Sequence, residues 1–129
     1  MREILFRGKN DRGEWIEGFY IKDAIETYIY DKYRNIRMQS VILETIGQYT
    51  GLIDKNGKKI FEGDIVNEYD MPKKISNTGI VKWSNMFVGW HISQTRSMYC
   101  HEYMSYEVIG NIHDNPELLC TPQNDEVRE

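Results

Sequence analysis

Short β-prone runs separated by turn-forming residues organise the chain from its start to about position 112. Glu3-Ile4-Leu5-Phe6-Arg7-Gly8 and Trp15-Ile16-Glu17-Gly18-Phe19-Tyr20-Ile21 flank a polar, glycine-containing stretch at 9–14, the pattern of a β-hairpin. Residues 22–26 suit a helical turn, and Thr27-Tyr28-Ile29-Tyr30 suit a strand. The polar segment 31–39 reads as an exposed loop, with pairing resumed at Val41-Ile42-Leu43. Asp54-Lys55-Asn56-Gly57 is a tight turn, because Asn56 and Gly57 tolerate positive φ, and it joins Leu52-Ile53 to Ile60-Phe61. A second turn, Glu62-Gly63-Asp64, opens onto a strand at 65–69. After a loop at 71–78 come strands at 79–83, 86–92 and 106–112, with a turn at Ser84-Asn85 between the first two. Asn115 as cap and Pro116 at the first helical position start a short C-terminal helical turn.

Four short strands within 64–112 imply a small barrel or sandwich. A Gly-Asp opening a strand, a loop, a Gly-Ile-Val-x-Trp strand, an aromatic strand and a closing strand follow the order of SH3-like barrels, a fold-level analogy. The expected fold is mainly β: an N-terminal β-hairpin-rich lobe at 1–60, a small SH3-like β-barrel lobe at 61–119, and a polar acidic tail at 120–129.

Three groups of motifs carry a family resemblance. The first is Arg2-Glu3-Ile4-Leu5-Phe6-Arg7-Gly8 with Gly13-Glu14-Trp15-Ile16-Glu17-Gly18. The second is Ile46-Gly47-Gln48-Tyr49-Thr50-Gly51-Leu52 with Asp54-Lys55-Asn56-Gly57-Lys58 and Phe61-Glu62-Gly63-Asp64-Ile65-Val66. The third runs from Val108-Ile109-Gly110-Asn111-Ile112 through His113-Asp114-Asn115-Pro116-Glu117-Leu118-Leu119. In this order they resemble the YopX family of phage and prophage proteins. The resemblance implies a β-rich protein with an SH3-like portion that often self-associates. It implies no activity, and it carries over no catalytic residue.

Composition adds limits. A chain of 129 residues with 40% hydrophobic and 28% charged residues has room for one domain or two small lobes and is too apolar to stay disordered. Net charge is −4, which disfavours a general coat for phosphate backbones. The charge is uneven, however: residues 1–60 carry 11 Lys+Arg against 9 Asp+Glu, and residues 61–129 carry 5 against 11. Residues 114–129 alone carry net −4, so 1–113 are balanced and the case against nucleic acid rests on the lack of a dense basic patch. No apolar run approaches the roughly 18 residues of a membrane span, and residues 1–7 lack a signal-peptide pattern, so a cytoplasmic protein in a bacterial host cell, with no membrane partner, is expected. Cys100 and Cys120 are expected to be free thiols.

Catalytic chemistry finds little footing. Glu62 and Asp64 are closely spaced carboxylates, but a Glu-Gly-Asp turn explains both through backbone hydrogen bonds. Among His91, Cys100, His101, His113 and Cys120 only Cys100-His101 are adjacent, and neighbouring side chains on a strand point apart, so no metal site is expected. There is no Gly-x-Ser-x-Gly elbow, and Gly47-Gln48-Tyr49-Thr50-Gly51 lacks the lysine and helix start of a phosphate loop.

Aromatic residues remain: Trp83, Phe87, Trp90, Tyr99, Tyr103 and Tyr106 crowd the second half. Such rings can line a peptide groove, but a small barrel needs them for its core, and the core reading is preferred for most. Lys32, Tyr33, Arg34 and Arg37 form a basic loop that reads first as a solvated segment and second as a contact for nucleic acid or an acidic protein. The partner-binding candidates are therefore Lys32, Tyr33, Arg34, Arg37, Trp83 and Trp90. Asp54, Asn56, Gly57, Glu62, Gly63, Asp64, Asn115 and Pro116 are assigned to structural turns. The expected function is a non-catalytic, self-associating interaction module that binds a host or phage protein and needs no cofactor. The alternative is a nucleic-acid binder using the 32–37 loop and the barrel aromatics.

Overall fold

The computed structural model describes residues 4–22, 26–31, 37–70, 74–86, 88–93 and 105–119. These residues are mainly β. In chain order the strands are β1 (Phe6–Lys9), β2 (Trp15–Lys22), β3 (Thr27–Asp31), β4 (Arg37–Ser40), β5 (Gly47–Ile53), β6 (Lys59–Phe61), β7 (Asp64–Asp70), β8 (Lys74–Ser84), β9 (Gly89–Ile92) and β10 (Ser105–Asn111). Two antiparallel sheets have the orders β4-β3-β2-β1-β5-β6 and β10-β7-β8-β9. The chain divides into two compact units, Met1–Leu52 and Ile53–Glu129.

In the first unit the hairpin between β1 and β2 is organised by one side chain. Asn10 Oδ1 accepts the backbone N–H groups of Arg12 and Glu14, both at 3.0 Å, so the polar turn residues satisfy the backbone that the strands leave unpaired. Beyond the turn, strand alternation sends Ile16 and Gly18 to one face, where Ile16 packs with Ile29 and Val41 against Phe6, Tyr20 and Ile46. Full burial of an aliphatic chain such as Ile16 or Ile29 stabilises the fold by about 1.5–3 kcal/mol. Gly18 is required by close approach: a Cβ there would collide with the Tyr30 carbonyl of β3.

Pairing resumes earlier than the sequence suggests. Residues 37–39, expected in the loop, form β4 together with Ser40, paired with β3 from Asp31↔Arg37 to Tyr28↔Ser40. Its Arg-Met-Gln-Ser composition is polar because β4 lies at the end of its sheet and needs little apolar surface.

In the second unit the 54–57 turn leads into β6, and the Glu62-Gly63 turn leads into β7. Gly63 has φ +92°, its N–H donates to the Val81 carbonyl (2.9 Å) and its carbonyl accepts the Ile112 N–H (3.0 Å). The turn therefore ties β8 to the segment after β10, in a conformation that suits glycine. β8 starts at Lys74, inside the stretch expected to be a loop, and β9 starts only at Gly89 rather than at 86. The register explains the short β9: Ser84 pairs with Gly89 and Trp83 with Trp90, so the pairing ends at Ser84 and resumes at Gly89. Val88 sits between them at φ +53°, unusual for a β-branched residue. Ile65, Val66, Val81, Ile92 and Tyr106 are buried.

Among the described residues this sheet is open, with β10 and β9 at its ends, and the closed SH3-like barrel expected from strand order is not formed. The C-terminal turn is a 3₁₀ turn, Pro116–Leu118, with Pro116 in its first turn as expected, but Asn115 does not cap it. Its Oδ1 instead accepts the Asn111 N–H at 3.2 Å, while Asn111 Oδ1 accepts the N–H groups of His113 and Asp114.

Candidate interaction surface

Two turn carboxylates, Asp54 and Asp64, accept backbone hydrogen bonds. Asp54, only 5% exposed, accepts the N–H groups of Asn56 (2.8 Å) and Lys58 (2.9 Å) on Oδ1 and that of Val108 (2.9 Å) on Oδ2. Burial alone would raise its carboxyl, but the hydrogen bonds from Val108, Lys58 and Asn56 and the nearby Lys58 charge outweigh it, holding the group below its ordinary value. Gly57, at φ +86°, closes the turn with an N–H to the Asp54 carbonyl at 3.0 Å. Asp64, 1% exposed, accepts the Phe61 N–H at 2.8 Å, and Glu62 lies in the turn itself. Carboxylates aimed at backbone donors in this way hold turns. They are poorly placed to exchange protons with a substrate.

One consequence lies on β10. Val108 N–H and Tyr106 C=O face away from β7, on the outer side of the strand, and both have partners there: Val108 donates to Asp54, and Tyr106 accepts the Lys55 N–H at 2.8 Å. The 54–55 backbone and carboxylate thus cover the β10 edge. Nearby, Lys55 Nζ lies 4.1 Å from the centre of the Tyr69 ring, and Tyr69 donates its hydroxyl to Glu107 at 2.7 Å. That hydrogen bond, with a contribution from burial, raises the phenol above its ordinary value despite an opposing bond with Asn67.

The opposite situation holds at β4. Val41 donates to the Thr27 carbonyl, which fixes the antiparallel alternation: Arg37 and Gln39 turn their backbone groups to β3, and Met38 and Ser40 turn theirs outward. Among the described residues nothing meets those outward groups. On one face of the same strands lies an uncharged row. Cross-strand register aligns Phe19, Tyr30 and Met38, and beside them Ile21, Tyr28 and Ser40. Phe19 is 49% and Met38 47% exposed, and the Phe19 and Tyr30 rings stand 6.5 Å apart. Sequence reasoning missed this row. Its signal was the unbroken Phe19-Tyr20-Ile21, which puts apolar groups on both faces of β2 where a half-buried strand would alternate.

Of the sequence-derived partner residues the structure describes Arg37, in the first unit, and Trp83 and Trp90, in the second. Lys32, Tyr33 and Arg34 lie outside the described residues, as do Phe87, Tyr99, Cys100, His101, Tyr103 and Cys120. Arg37 opens β4. Trp83 and Trp90 face each other across β8 and β9, edge to face with centroids 5.1 Å apart. Trp83 is 42% exposed and donates its indole N–H to Asn85, so this pair is a partly exposed ledge rather than core packing; Tyr106 alone of the described candidates is buried. At the adjoining turn Met86 is 84% exposed. In the first unit Arg7 and Lys9 both lie over the Trp15 ring. Among the described residues no cluster of three or more His, Cys, Asp or Glu side chains could hold a metal ion. No described helix is long and apolar enough to cross a membrane.

These features define an all-β protein of two antiparallel sheets whose turns are fastened by buried carboxylates and whose first sheet ends in a strand that nothing among the described residues covers. The chain belongs to the YopX family: the profile described as YopX protein matches residues 2–120. It is similar to protein EF1440 from Enterococcus faecalis, whose crystal structure superposes with a TM-score of 0.62 at 28% sequence identity, covering 92% of this chain and 99% of that one. No curated protein matches the chain.

Proposed function

We propose that this YopX-family chain is a non-catalytic interaction protein that self-associates and presents apolar surfaces to a host or phage protein. The observation that carries the reading is the exposed, uncharged row from Phe19 through Tyr30 to Met38, which runs to a sheet edge whose outward backbone groups meet nothing among the described residues. Monomeric proteins rarely leave such an edge unguarded beside apolar surface, because it templates pairing with another strand. Asp54 and Asp64 support the non-catalytic part, since their oxygens serve backbone N–H groups. Light scattering across a dilution series tests self-association: a concentration-dependent rise in mass is expected, and a constant monomer mass removes that part. Affinity capture from lysogenic cells, with Met86→Lys and Trp83→Ala in parallel, tests the partner. A specific protein lost in the variants is expected, and an identical set of captured proteins would contradict a role for the β8–β9 turn.

A further inference from the structure

Resting on the reading that the protein self-associates, we infer that the contact is made by β4 pairing antiparallel with β4 of a second copy about a two-fold axis. The edge has the chemistry of a strand acceptor and little else. Its outward groups belong to Met38 and Ser40, two residues apart, the spacing at which an antiparallel partner exchanges N–H and C=O bonds. A two-fold axis at Gln39 places Met38 opposite the second copy's Ser40 and the reverse. Every outward backbone group of both residues is then paired, in both copies, by one operation.

Side chains agree with the backbone. Met38 and Ser40 share the face that carries Phe19, Tyr30, Ile21 and Tyr28. Pairing about Gln39 extends the Phe19–Tyr30–Met38 row of one copy into the Ser40–Tyr28–Ile21 row of the other, making one apolar band across both sheets. Charge decides the occupant. The six residues of the row carry no charge of their own, and the charged group they touch is a carboxylate, Glu26, which accepts the Ser40 hydroxyl at 3.1 Å. A phosphate backbone would find no cation on it. A strand from another protein would satisfy the same hydrogen bonds, but only a second copy is guaranteed to match this row with its own neutral one. The contrast with β10, whose edge the chain covers with Asp54 and Lys55, shows that closing an edge internally is within this fold's means.

The test uses the full chain. Met38→Lys places a charge in the middle of the joined row, and Ser40→Pro removes an outward N–H while leaving the β3–β4 ladder untouched. Circular dichroism and melting report whether each variant folds. Gln39→Cys provides a positive signal: Cα atoms of a non-hydrogen-bonded pair lie about 4.5 Å apart, within disulfide reach. Under mild oxidation it should give a dimer linked through position 39, mapped by peptide mass spectrometry to separate it from links through Cys100 or Cys120. Met86→Cys, at a more exposed position, should not link to itself. The expected result is at least a tenfold weakening of self-association in folded Met38→Lys and Ser40→Pro, together with the 39–39 link. If wild-type protein associates, both variants associate equally well and no 39–39 link forms, the β4 contact is overturned and self-association stands. A wild-type monomer at every concentration overturns both, and leaves the edge to a strand from another protein.

Discussion

Two sheet edges in this protein face the same physical problem and meet it differently. β10 ends the second sheet, and its outward groups at Tyr106 and Val108 are taken by Lys55 N–H and by the Asp54 carboxylate. β4 ends the first sheet, and the outward groups of Met38 and Ser40 meet nothing among the described residues. The first edge is closed within the chain by a residue that also builds a turn. The second edge runs beside exposed Phe19 and Met38 and has the features that natural proteins suppress when an edge must stay unpaired. One carboxylate therefore separates the edge that the chain covers from the edge left uncovered among the described residues.

The contrast can be broken most severely at Asp54. Asp54→Ala leaves the N–H groups of Asn56, Lys58 and Val108 without their acceptor and should lower stability by about 2–4 kcal/mol in a denaturant titration. It should also open the β10 edge, so the variant is expected to aggregate where wild type does not. Next comes Gly63→Ala, which forces a side chain into φ +92° at the turn tying Val81 to Ile112 and should cost about 1–2 kcal/mol by the same titration.

Acid sharpens the same comparison. Asp54 is held below its ordinary carboxylate value in the folded protein, so its stabilising effect is complete above that ordinary value and is lost as pH falls through the lower, folded one. Melting temperature should therefore decline on that acid limb. Asp54→Asn should be less stable at neutral pH and show a shallower decline; parallel curves for the two proteins would remove Asp54 from the account. The smallest effect belongs to the open edge. Met38→Lys should change monomer stability by no more than about 0.5 kcal/mol, because the residue packs on little, while it reduces self-association.

The closed edge was easier to read from sequence than the open one. Asp54-Lys55-Asn56-Gly57 announces a turn because its residues satisfy local backbone groups, and the hairpin at β1–β2 is written in alternation around a polar, glycine-containing stretch. That Asp54 also reaches Val108, 54 positions away, is tertiary and leaves no local trace. β4 was hidden for a related reason. An edge strand needs burial on one side only, and Arg37-Met38-Gln39-Ser40 is as polar in sequence as the residues that precede it. The same holds at the start of β8, where Lys74, Asn77 and Thr78 are polar and yet paired with β7. Tyr106 was legible as core, but Trp83 and Trp90 were not placed by periodicity, because β9 begins only at Gly89 and the tryptophan pair falls one register position from the end of the β8–β9 pairing. The open second sheet departs from the barrel analogy because strand order along a sequence does not dictate whether the last strands close on the first.

Residue-resolved amide hydrogen exchange, recorded at a dilution where the protein is monomeric and again at high concentration, compares the two edges directly. The account predicts that Val108 is protected at both concentrations, whereas Met38 and Ser40 exchange rapidly when dilute and become protected when concentrated. Protection of Met38 and Ser40 in the dilute monomer equal to that of Val108 would contradict it, because the β4 edge would then be covered by its own chain.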